Sequence, residues 1–299
     1  MVSAVITTHN RVDLLGRAIE SVLNQTYKEL ELIVVSDGST DGTEDFMKQY
    51  EADSRISFIS YHPARGGNHA RNTGIKASKG EYVAFLDDDD EWFPEKIAEQ
   101  VRVMESDPGI GLVYTGTRSI FVENGVKYDS PQSCQGDLSR EILFQNIVGS
   151  TTTVMVRKSV LEHSGIFDED LGAIQDYDLW VRICQVAKVG VVSAPMVNYY
   201  NYGAGQISAN LAKDETAYGR VNEKYKDLLN EKLTVPERNH KFAGQKRALA
   251  MIALRSGSGK TARAYLRKSL EHRVEARTFF LYLMSFLGFN ALLKLRSLK

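Results

Sequence analysis

The first 115 residues alternate between short apolar runs and amphipathic stretches, and this alternation restricts the fold more than any other feature of the sequence. Five runs have the length and composition of buried strands: VSAVIT, LELIVV, ISFIS, YVAFL and IGLVYT. Between the first two lies RVDLLGRAIESVLNQ, whose apolar residues recur at helical spacing. Strands that are apolar on both faces and separated by helices predict an α/β fold with a mostly parallel sheet flanked by helices.

Polar clusters follow three of these predicted strands. THNR comes after the first strand, SDGSTDGT after the second and DDDDE after the fourth. Ligands of open α/β sheets bind beyond the carboxyl ends of the strands, and parallel strands end at the same edge. We therefore expect the three clusters to meet there and to form a binding site.

Residues 87–90 are four consecutive aspartates. At an effective dielectric of about 20, carboxylates roughly 5 Å apart repel by about 3 kcal/mol per pair, so a stabilising partner is expected. One interpretation is a solvated acidic turn, with Asp90 capping a helix that begins near Pro94. The other is a divalent-cation site, because carboxylate oxygens are hard ligands. These residues alone leave both interpretations open.

Two further segments carry side chains with binding chemistry. Asp37 and Gly38 follow the second strand, and they indicate either a turn that leads into a capped helix or an acceptor for the imide N–H of a pyrimidine base. The segment HPARGGNHARNTG is interpreted as a loop that carries Arg65, His69 and Arg71. Its arginines suit a diphosphate, although a solvated surface loop explains Arg65 and His69 equally well.

Beyond residue 115 the pattern changes. Asn124-Gly125, between alternating segments, predicts a β-hairpin, STTTVMV another strand and DYDLWVRICQVA an amphipathic helix. The remainder is predominantly helical by pattern, with a break at RSGSGK. This break resembles the end of a phosphate-binding loop, but the first glycine of that motif and its preceding strand are missing. It is predicted to be a loop between helices.

Charge and cysteine content narrow the class of protein. A formal net charge of -1 argues against a nucleic-acid partner held by bulk phosphate attraction. Cys134 and Cys184 have no CxxC or metal-binding spacing, which indicates a reducing compartment and no disulfide framework. MVSAVITTHN lacks a basic region and a cleavage site, so a cytoplasmic location is expected.

The order VITTHNR, SDGSTDGT, ARNTGIKASKGEYVAFLDDDDEWFPEKI and HSGIFDEDLGAIQDYDLWVRI resembles the family-2 nucleotide-sugar glycosyltransferases, which have the Rossmann-like GT-A fold. The resemblance covers residues 2–202. It implies a GT-A catalytic domain over residues 1–213, with a nucleotide-sugar-binding part at 1–115 and an acceptor-binding part at 116–213. A helical C-terminal region follows at residues 214–299.

The resemblance implies roles for four residues around the nucleotide. Asp37 corresponds to the aspartate that recognises the uracil base. Thr7 and Arg11 lie in the strand-end segment that surrounds the nucleotide, and Arg71 matches the family's loop arginine. Ser36 departs from the family pattern, since many relatives have a second aspartate there, and this leaves Asp37 alone for base recognition.

For the acidic run, the resemblance implies an Asp-x-Asp motif with Asp87 and Asp89 as its outer members. Asp87 is placed near the ribose and the metal, and Asp89 as a ligand of the Mn²⁺ or Mg²⁺ that bridges the diphosphate. Asp88 is grouped with the nucleotide-binding residues. Asp176, in QDYDLW, matches the aspartate that acts as general base on the acceptor hydroxyl, although Gln175 replaces the commoner glutamate before it.

The implied activity is an inverting transfer of a sugar from a UDP-sugar, or a dTDP-sugar, to a hydroxyl of a glycan or lipid-linked acceptor in surface-polysaccharide biosynthesis. One alternative is a nucleotidyltransferase, but TTHNRVDLL lacks the glycine-rich signature expected after its first strand. The other is a non-catalytic module that binds nucleotides or carbohydrates. Intact Asp37, Asp87, Asp89 and Asp176 argue against it. No oligomeric state is indicated.

The C-terminal segment RTFFLYLMSFLGFNALLKLRSLK is the last feature with functional content. Its apolar stretch from Phe279 to Leu293 is shorter than the roughly 20 residues of a membrane-spanning helix. Basic residues flank this stretch, namely Arg273, Arg277, Lys294, Arg296 and Lys299. This pattern predicts a helix that lies on an anionic membrane surface. The alternative is a helix that packs back onto the catalytic domain.

Overall fold

The computed structural model describes residues 1–123, 125–202, 211–289 and 291–292. Within these residues a nine-stranded sheet is formed by β1 (Val2–Thr8), β2 (Leu30–Asp37), β3 (Ile56–Tyr61), β4 (Tyr82–Asp87), β5 (Glu91–Trp92), β6 (Ile110–Phe121), β7 (Lys127–Ser130), β8 (Met155–Arg157) and β9 (Lys188–Asn201).

The described helices lie on both sides of this sheet and beyond it. They are α1 (Val12–Leu23), α2 (Thr43–Met47), α3 (Gly67–Ala77), α4 (Lys96–Glu105), α5 (Lys158–Ser164), α6 (Gln175–Cys184), α7 (Leu211–Lys224), α8 (Lys226–Lys232), α9 (Val235–Arg255), α10 (Gly259–His272) and α11 (Ala276–Met284).

The strand order is β3-β2-β1-β4-β8-β6-β9-β5, with β7 beside β6. Strands β3, β2, β1 and β4 are parallel, β8 runs antiparallel to β4 and to β6, and β9 runs parallel to β6. Thr7 of β1 is in register with Val35 of β2 and with Asp87 of β4. The predicted α/β fold is confirmed, and the carboxyl ends of the central parallel strands form one edge.

Both faces of the parallel strands are buried, as their continuous apolar sequences predict. Alternate residues of β1 belong to different clusters, because successive side chains of a strand point to opposite faces. Val5 packs with Phe85, Tyr114 and Trp180. Ala4 and Ile6 pack on the other face, where the cluster includes Leu15, Ile19, Leu86, Ile97 and Met104.

The second half of the sheet differs from its sequence pattern in two places. Only the end of STTTVMV forms strand β8, because Thr151–Thr153 form a 3₁₀ turn before it. The long strand β9 was not predicted from the sequence. The hairpin is confirmed, since β6 and β7 pair antiparallel around Gly125, whose φ is 69°. Asn124 lies outside the described residues.

The C-terminal helices have an apolar cluster of their own. Helix α9 begins with a capping box in which Glu237 accepts the backbone N–H of Thr234 at 2.9 Å. Leu249, Leu254 and Leu266 of α9 and α10 form the cluster, and part of α11 packs against it. RSGSGK is confirmed as an interhelical loop, because α9 ends and α10 begins within it.

Helix α11 and the turn after it leave a second face exposed. The large apolar side chains on this face are Phe279, Phe280, Leu283, Phe286 and Leu287, each more than half exposed. One side of α11 thus packs against α9 and α10, within the C-terminal region itself, and the other side presents an exposed apolar surface. In the part of the chain that the structure describes, no helix is both long and apolar enough to cross a membrane.

Candidate active site

The polar residues predicted to meet at the edge of the sheet do lie there. Thr7 lies near the carboxyl end of β1. Asp87, its partner in the register, is the last residue of β4. Asp37 ends β2 on the other side of β1. This arrangement follows from the parallel order of the three strands, and it explains why residues distant in sequence form a single site.

The aspartate run is mostly withdrawn from solvent. Asp88 and Asp90 are buried, and Asp87 and Asp89 are partly buried. Burial, together with the neighbouring carboxylates of Asp87 and Asp88, raises the pKa of Asp89 to about 6. The interpretation of a solvated acidic turn is therefore wrong.

One guanidinium compensates part of this negative charge. Nη1 of Arg11, at the start of α1, lies 3.1 Å from Oδ1 of Asp88 and 2.9 Å from Oδ2 of Asp89. Arg17, on the same helix, donates to the main-chain oxygen of Asp89 and, at 2.9 Å, to the hydroxyl of Tyr202. Helix α1 thus fixes both the side chain and the backbone of Asp89.

Asp90 does not cap the next helix, contrary to the sequence interpretation. Helix α4 begins at Lys96, and Glu95 stands at its N-cap. Oδ1 of Asp90 instead accepts the backbone N–H of Tyr200 at 3.0 Å. The short strand β5 lies between Asp90 and α4 and pairs with β9. The carboxylate of Asp90 therefore faces β9.

Arg71 lies on helix α3 rather than in a loop, which corrects the sequence interpretation of this segment. Gly66 has a φ of 97°, and the helix begins directly after it. Nη2 of Arg71 donates to Oδ1 of Asp87 at 2.7 Å. The hydroxyl of Thr151 lies 3.3 Å from Oδ2 of the same carboxylate. Asp87 is therefore held by two side chains, one from α3 and one from the 3₁₀ turn before β8.

Asp37 is 5% exposed, and both of its carboxylate oxygens accept backbone N–H groups. Oδ1 accepts from Arg65 at 2.7 Å, and Oδ2 accepts from Gly66 at 2.8 Å. Gly38 has a φ of 66°, and a Cβ there would lie 2.5 Å from the backbone nitrogen of Ala64. Asp37 therefore stabilises the turn through these hydrogen bonds. A carboxylate accepts about four hydrogen bonds, so Asp37 can also accept one from a nucleotide base.

Asp176 is the second residue of α6, which follows Ile174 in a left-handed conformation with φ 49°. Its Oδ1 accepts the backbone N–H of Tyr177 at 2.7 Å, and its Oδ2 accepts from Nδ2 of Asn146 at 3.3 Å. Burial raises the pKa of Asp176 to about 6; the guanidinium of Arg71 opposes this shift, and the carboxylate of Asp87 adds to it. The structure thus brings Asp176 close to the end of β4.

The residue after Asp176 is tied to the C-terminal region. The buried Nζ of Lys241, on α9, donates to the hydroxyl of Tyr177 at 3.0 Å. That hydroxyl lies 3.2 Å from the main-chain oxygen of Leu143. Burial lowers the pKa of Lys241 to about 8. This contact links α9 directly to α6.

The carboxylates at the sheet edge fit a divalent cation that is shared with a ligand. Among the described residues, no three His, Cys, Asp or Glu side chains are grouped to hold a metal by themselves. Asp87 and Asp89 supply hard oxygen atoms in a partly buried place where the carboxylates repel one another. Mg²⁺ is usually held by one or two carboxylates together with substrate phosphates. The residues present match that arrangement.

Three contacts of the site were not predicted from the sequence. They are made by Arg17, Asn146 and Thr151. Asn146 and Thr151 come from segments without a recognisable motif. Arg17 lies within the apolar pattern of α1, where a charged residue usually indicates only the solvent-facing side of the helix.

Solved structures show the same fold. Staphylococcus aureus TarS residues 1–349, crystallised with UDP-GlcNAc, superimposes with a TM-score of 0.61 at 17% identity, covering 90% of each chain. The mannosyltransferase PcManGT from Pyrobaculum calidifontis, in complex with GDP-Man and Mn²⁺, gives a TM-score of 0.62 at 19% identity, over 95% of this chain and 83% of that one. The fold is that of the GT-A glycosyltransferases.

Sequence comparison gives the family. The chain belongs to glycosyl transferase family 2, whose family model matches residues 3–165. A relative in Escherichia coli, UDP-Glc:alpha-D-GlcNAc-diphosphoundecaprenol beta-1,3-glucosyltransferase WfaP, is 33% identical over 218 residues, which make up 72% of this chain and 82% of that protein. The resemblance inferred from the motifs is confirmed, and the chain is a glycosyltransferase.

Proposed function

We propose that this glycosyltransferase moves a sugar from a UDP-sugar to a hydroxyl of a glycan or lipid-linked acceptor, with inversion at the anomeric carbon. One observation carries the proposal: the Arg71–Asp87 pair at the end of β4 lies close enough to Asp176 for both charges to act on its pKa. A donor-side carboxylate and a candidate general base thus border one space. Residues 1–213 form the catalytic domain on this proposal, and residues 214–299 the helical C-terminal region.

On the donor side, Asp37 recognises the nucleotide base. Its carboxylate is fixed by Arg65 and Gly66 and keeps lone pairs for the imide N–H of uracil. Thymine presents the same imide face, so a dTDP-sugar is the alternative donor. The names of the comparison proteins support a uridine nucleotide, since WfaP is named for UDP-Glc and TarS was crystallised with UDP-GlcNAc.

Thr7, Arg11 and Asp88 surround the nucleotide at the start of α1, and Arg71 lies beside Asp87. Asp89 and Asp87 would hold the divalent cation, Mn²⁺ or Mg²⁺. When bound, such an ion neutralises the diphosphate and makes it a better leaving group. Arg11 and Arg71 supply the fixed positive charges that orient the diphosphate oxygens.

Asp176 removes the proton of the acceptor hydroxyl. The acceptor oxygen attacks the anomeric carbon from the face opposite the diphosphate. The new C–O bond forms as the bond to the phosphate oxygen breaks, and the leaving electron pair stays on UDP. A single displacement inverts the anomeric centre, so an α-linked donor gives a β-linked product.

We further propose that the protein lies peripherally on the inner face of the cell membrane and acts in polysaccharide biosynthesis. The exposed apolar face of α11 supports this placement, because basic side chains such as Arg263, Arg267 and Arg273 lie around it. An aromatic-rich apolar face with basic neighbours suits the headgroup region of an anionic bilayer. Of the other basic residues predicted for this segment, Arg277 lies on α11, whereas Lys294, Arg296 and Lys299 lie outside the described residues.

A screen of the purified protein against a panel of nucleotide sugars, with Mn²⁺ present, tests the proposal. UDP-sugars, or dTDP-sugars, should be turned over in preference to GDP- and CMP-sugars. The anomeric configuration of the transferred sugar, read by NMR, should be opposite to that of the donor. Retention of configuration, or a preference for purine nucleotides, would contradict the proposal.

A further inference from the structure

Residues 165–174 connect α5 to α6 and lead directly to Asp176, and they form neither helix nor strand. The backbone groups of such a connection need partners from elsewhere when they are buried. Here side chains of α3, α6 and α7 donate hydrogen bonds to its main-chain oxygens, namely those of Ile166, Phe167, Asp168, Asp170 and Leu171. Two of the donors, Asn68 and Asn72, lie on α3.

Asn72 pairs with both backbone groups of one residue of this α5–α6 connection. Its Nδ2 donates to the main-chain oxygen of Phe167 at 2.9 Å, and its Oδ1 accepts the backbone N–H of Phe167 at 3.0 Å. Nδ2 also donates to Oε1 of Glu169 at 2.9 Å. Asn72 is 2% exposed. A primary amide carries a donor and an acceptor side by side, so Asn72 pairs with Phe167 as a neighbouring strand would.

Asn68 lies one turn earlier on the same face of α3. Its buried Nδ2 donates to the main-chain oxygens of Asp168 and Leu171, each at 2.8 Å. Residues 172–174 alone separate Leu171 from the start of α6. The two asparagines therefore hold the connection on α3 almost up to the helix that carries Asp176.

The same helix is bound to the donor side of the site through Arg71, whose Nη2 lies 2.7 Å from Oδ1 of Asp87. Cζ of Arg71 also lies 5.7 Å from the centre of the Phe167 ring. That ring packs edge-on against Phe85 of β4, at 5.4 Å between centres, and against Trp180 of α6, at 6.4 Å. Helix α3 and Phe167 thus join the strand that ends at Asp87 to the helix that begins beside Asp176.

We propose that Asn72, supported by Asn68, is a positioning residue of this enzyme. By holding the α5–α6 connection on α3, it sets the place of Asp176 relative to Asp87. The Asn72 amide is buried and is used by Phe167 and Glu169, so it acts on the reaction through Asp176. The inference rests on the proposed function, since it takes Asp176 as the general base. A misplacement of about 1 Å at a catalytic group can lower a rate about 10²-fold, which makes such a role measurable.

Turnover is measured on the full-length chain as UDP release from a UDP-sugar that the nucleotide-sugar screen identifies, with Mn²⁺ present and water as the acceptor. Asn72→Ala should lower the turnover number by about tenfold or more, because Asp176 is displaced. UDP affinity, measured by calorimetry with Mn²⁺, should stay the same. Asn68→Ala should have the same effect at about threefold or more, a factor typical of lost hydrogen bonds. Asn24→Ala, at an exposed asparagine, is the matched control and should keep full turnover.

A double variant separates positioning from a general effect on the fold. When Asp176 is already replaced by asparagine, adding Asn72→Ala should cause no further loss of turnover, because a residue that acts through the base has nothing left to position. A purely structural role would lower turnover by the same factor with or without Asp176, and that result would overturn the inference. Thermal unfolding shows which variants are folded at the assay temperature. If Asn72→Ala is not, Asn68→Ala is compared in the same two backgrounds.

Two further outcomes would overturn the inference. Full turnover of a folded Asn72→Ala variant would show that the contact with Phe167 does not matter for catalysis. A loss of UDP affinity equal to the loss of turnover would place the effect of Asn72 on the donor side. Near-normal turnover of Asp176→Asn contradicts the proposed function itself, whereas a loss in Asp176→Asn with no loss in Asn72→Ala contradicts the positioning role alone.

Discussion

Nη2 of Arg71 lies 2.7 Å from Oδ1 of Asp87, and this contact ties helix α3 to the end of strand β4. The guanidinium also acts electrostatically on Asp176, where its positive charge opposes the effect of the Asp87 carboxylate. Arg71 is thus a cation that lies near both Asp87 and Asp176. Its positive charge lowers the electrostatic cost of holding these two carboxylates near each other.

Asp89→Ala should weaken UDP binding in the presence of Mn²⁺ by at least about tenfold, because it removes a carboxylate that is proposed to hold the cation. The fold should survive, since the change removes one of several repelling carboxylates. Calorimetry measures the affinity, and thermal unfolding checks the fold. Asp107→Ala, at an exposed aspartate paired with Lys188, is the control. An unchanged affinity in Asp89→Ala would remove this residue from the metal site.

Asp37→Asn should weaken UDP by about 1–3 kcal/mol, since the imide N–H loses a charged acceptor. The affinity for pyrophosphate with Mn²⁺ should stay the same, because pyrophosphate has no base. Asparagine keeps one oxygen for the loop N–H groups of Arg65 and Gly66, which alanine would leave without an acceptor. Equal losses for UDP and pyrophosphate would indicate a turn defect and no base recognition.

Asp176→Asn should lower the turnover number by about 10²–10⁴, the usual contribution of a general base. UDP affinity should change little, because Asp176 is proposed to act on the acceptor. Steady-state kinetics and calorimetry give the two quantities. Asp170→Asn, an exposed aspartate before α6, is the matched control and should keep full turnover. Near-normal turnover of Asp176→Asn would exclude Asp176 as the base.

The transfer rate should depend on pH through Asp176. The base works only as the carboxylate, and its pKa is raised to about 6, so the rate is full above this value and is lost as the pH falls through it. Below that point the rate should decrease about tenfold per pH unit. Saturating donor and Mn²⁺ keep Asp89 ionised during the measurement. The residual rate of Asp176→Asn should lack this decrease, and a flat profile in the unmodified enzyme would contradict the assignment.

Substituting serine for three exposed residues of the apolar face, Phe279, Leu283 and Leu287, should abolish co-sedimentation with anionic vesicles. Activity in a soluble donor-hydrolysis assay should remain, because these side chains are more than half exposed on α11 and the turn after it, in the C-terminal region. The matched control replaces three exposed valines elsewhere, Val122, Val186 and Val235, and should still sediment. Failure of the unmodified protein to bind anionic vesicles would exclude the membrane placement.

The sheet edge could be predicted from the sequence because its signals are local. An apolar strand followed at once by polar residues determines where Asp37 and Asp87 lie, and parallel topology then brings them together. Helix α3 was missed because its sequence is poor in apolar residues and rich in glycine. Gly74 allows α3 to pack closely on β1, because a Cβ at this position would lie 2.3 Å from Cγ1 of Val5.

The environment of the aspartates could not be predicted in the same way. Whether Asp90 caps α4 or faces β9 depends on a strand that pairs across the sheet, and Tyr200 is far away in sequence. Asn146 and Thr151 contact the site from turns, and the sequences of these turns show neither helical nor strand periodicity. Contacts of this kind are set by tertiary packing, which single-sequence patterns do not encode.

The hydrogen bond from Lys241 to the hydroxyl of Tyr177 holds α9 against the start of α6. If α11 lies on the bilayer, the height of Asp176 above the lipid is then set by the protein scaffold. The enzyme would then select its acceptor by length, because it would glycosylate the sugar unit whose distance from the lipid matches that height. Acceptors with one sugar more or one fewer would present their hydroxyls at the wrong level, so chain length itself becomes a criterion of selection.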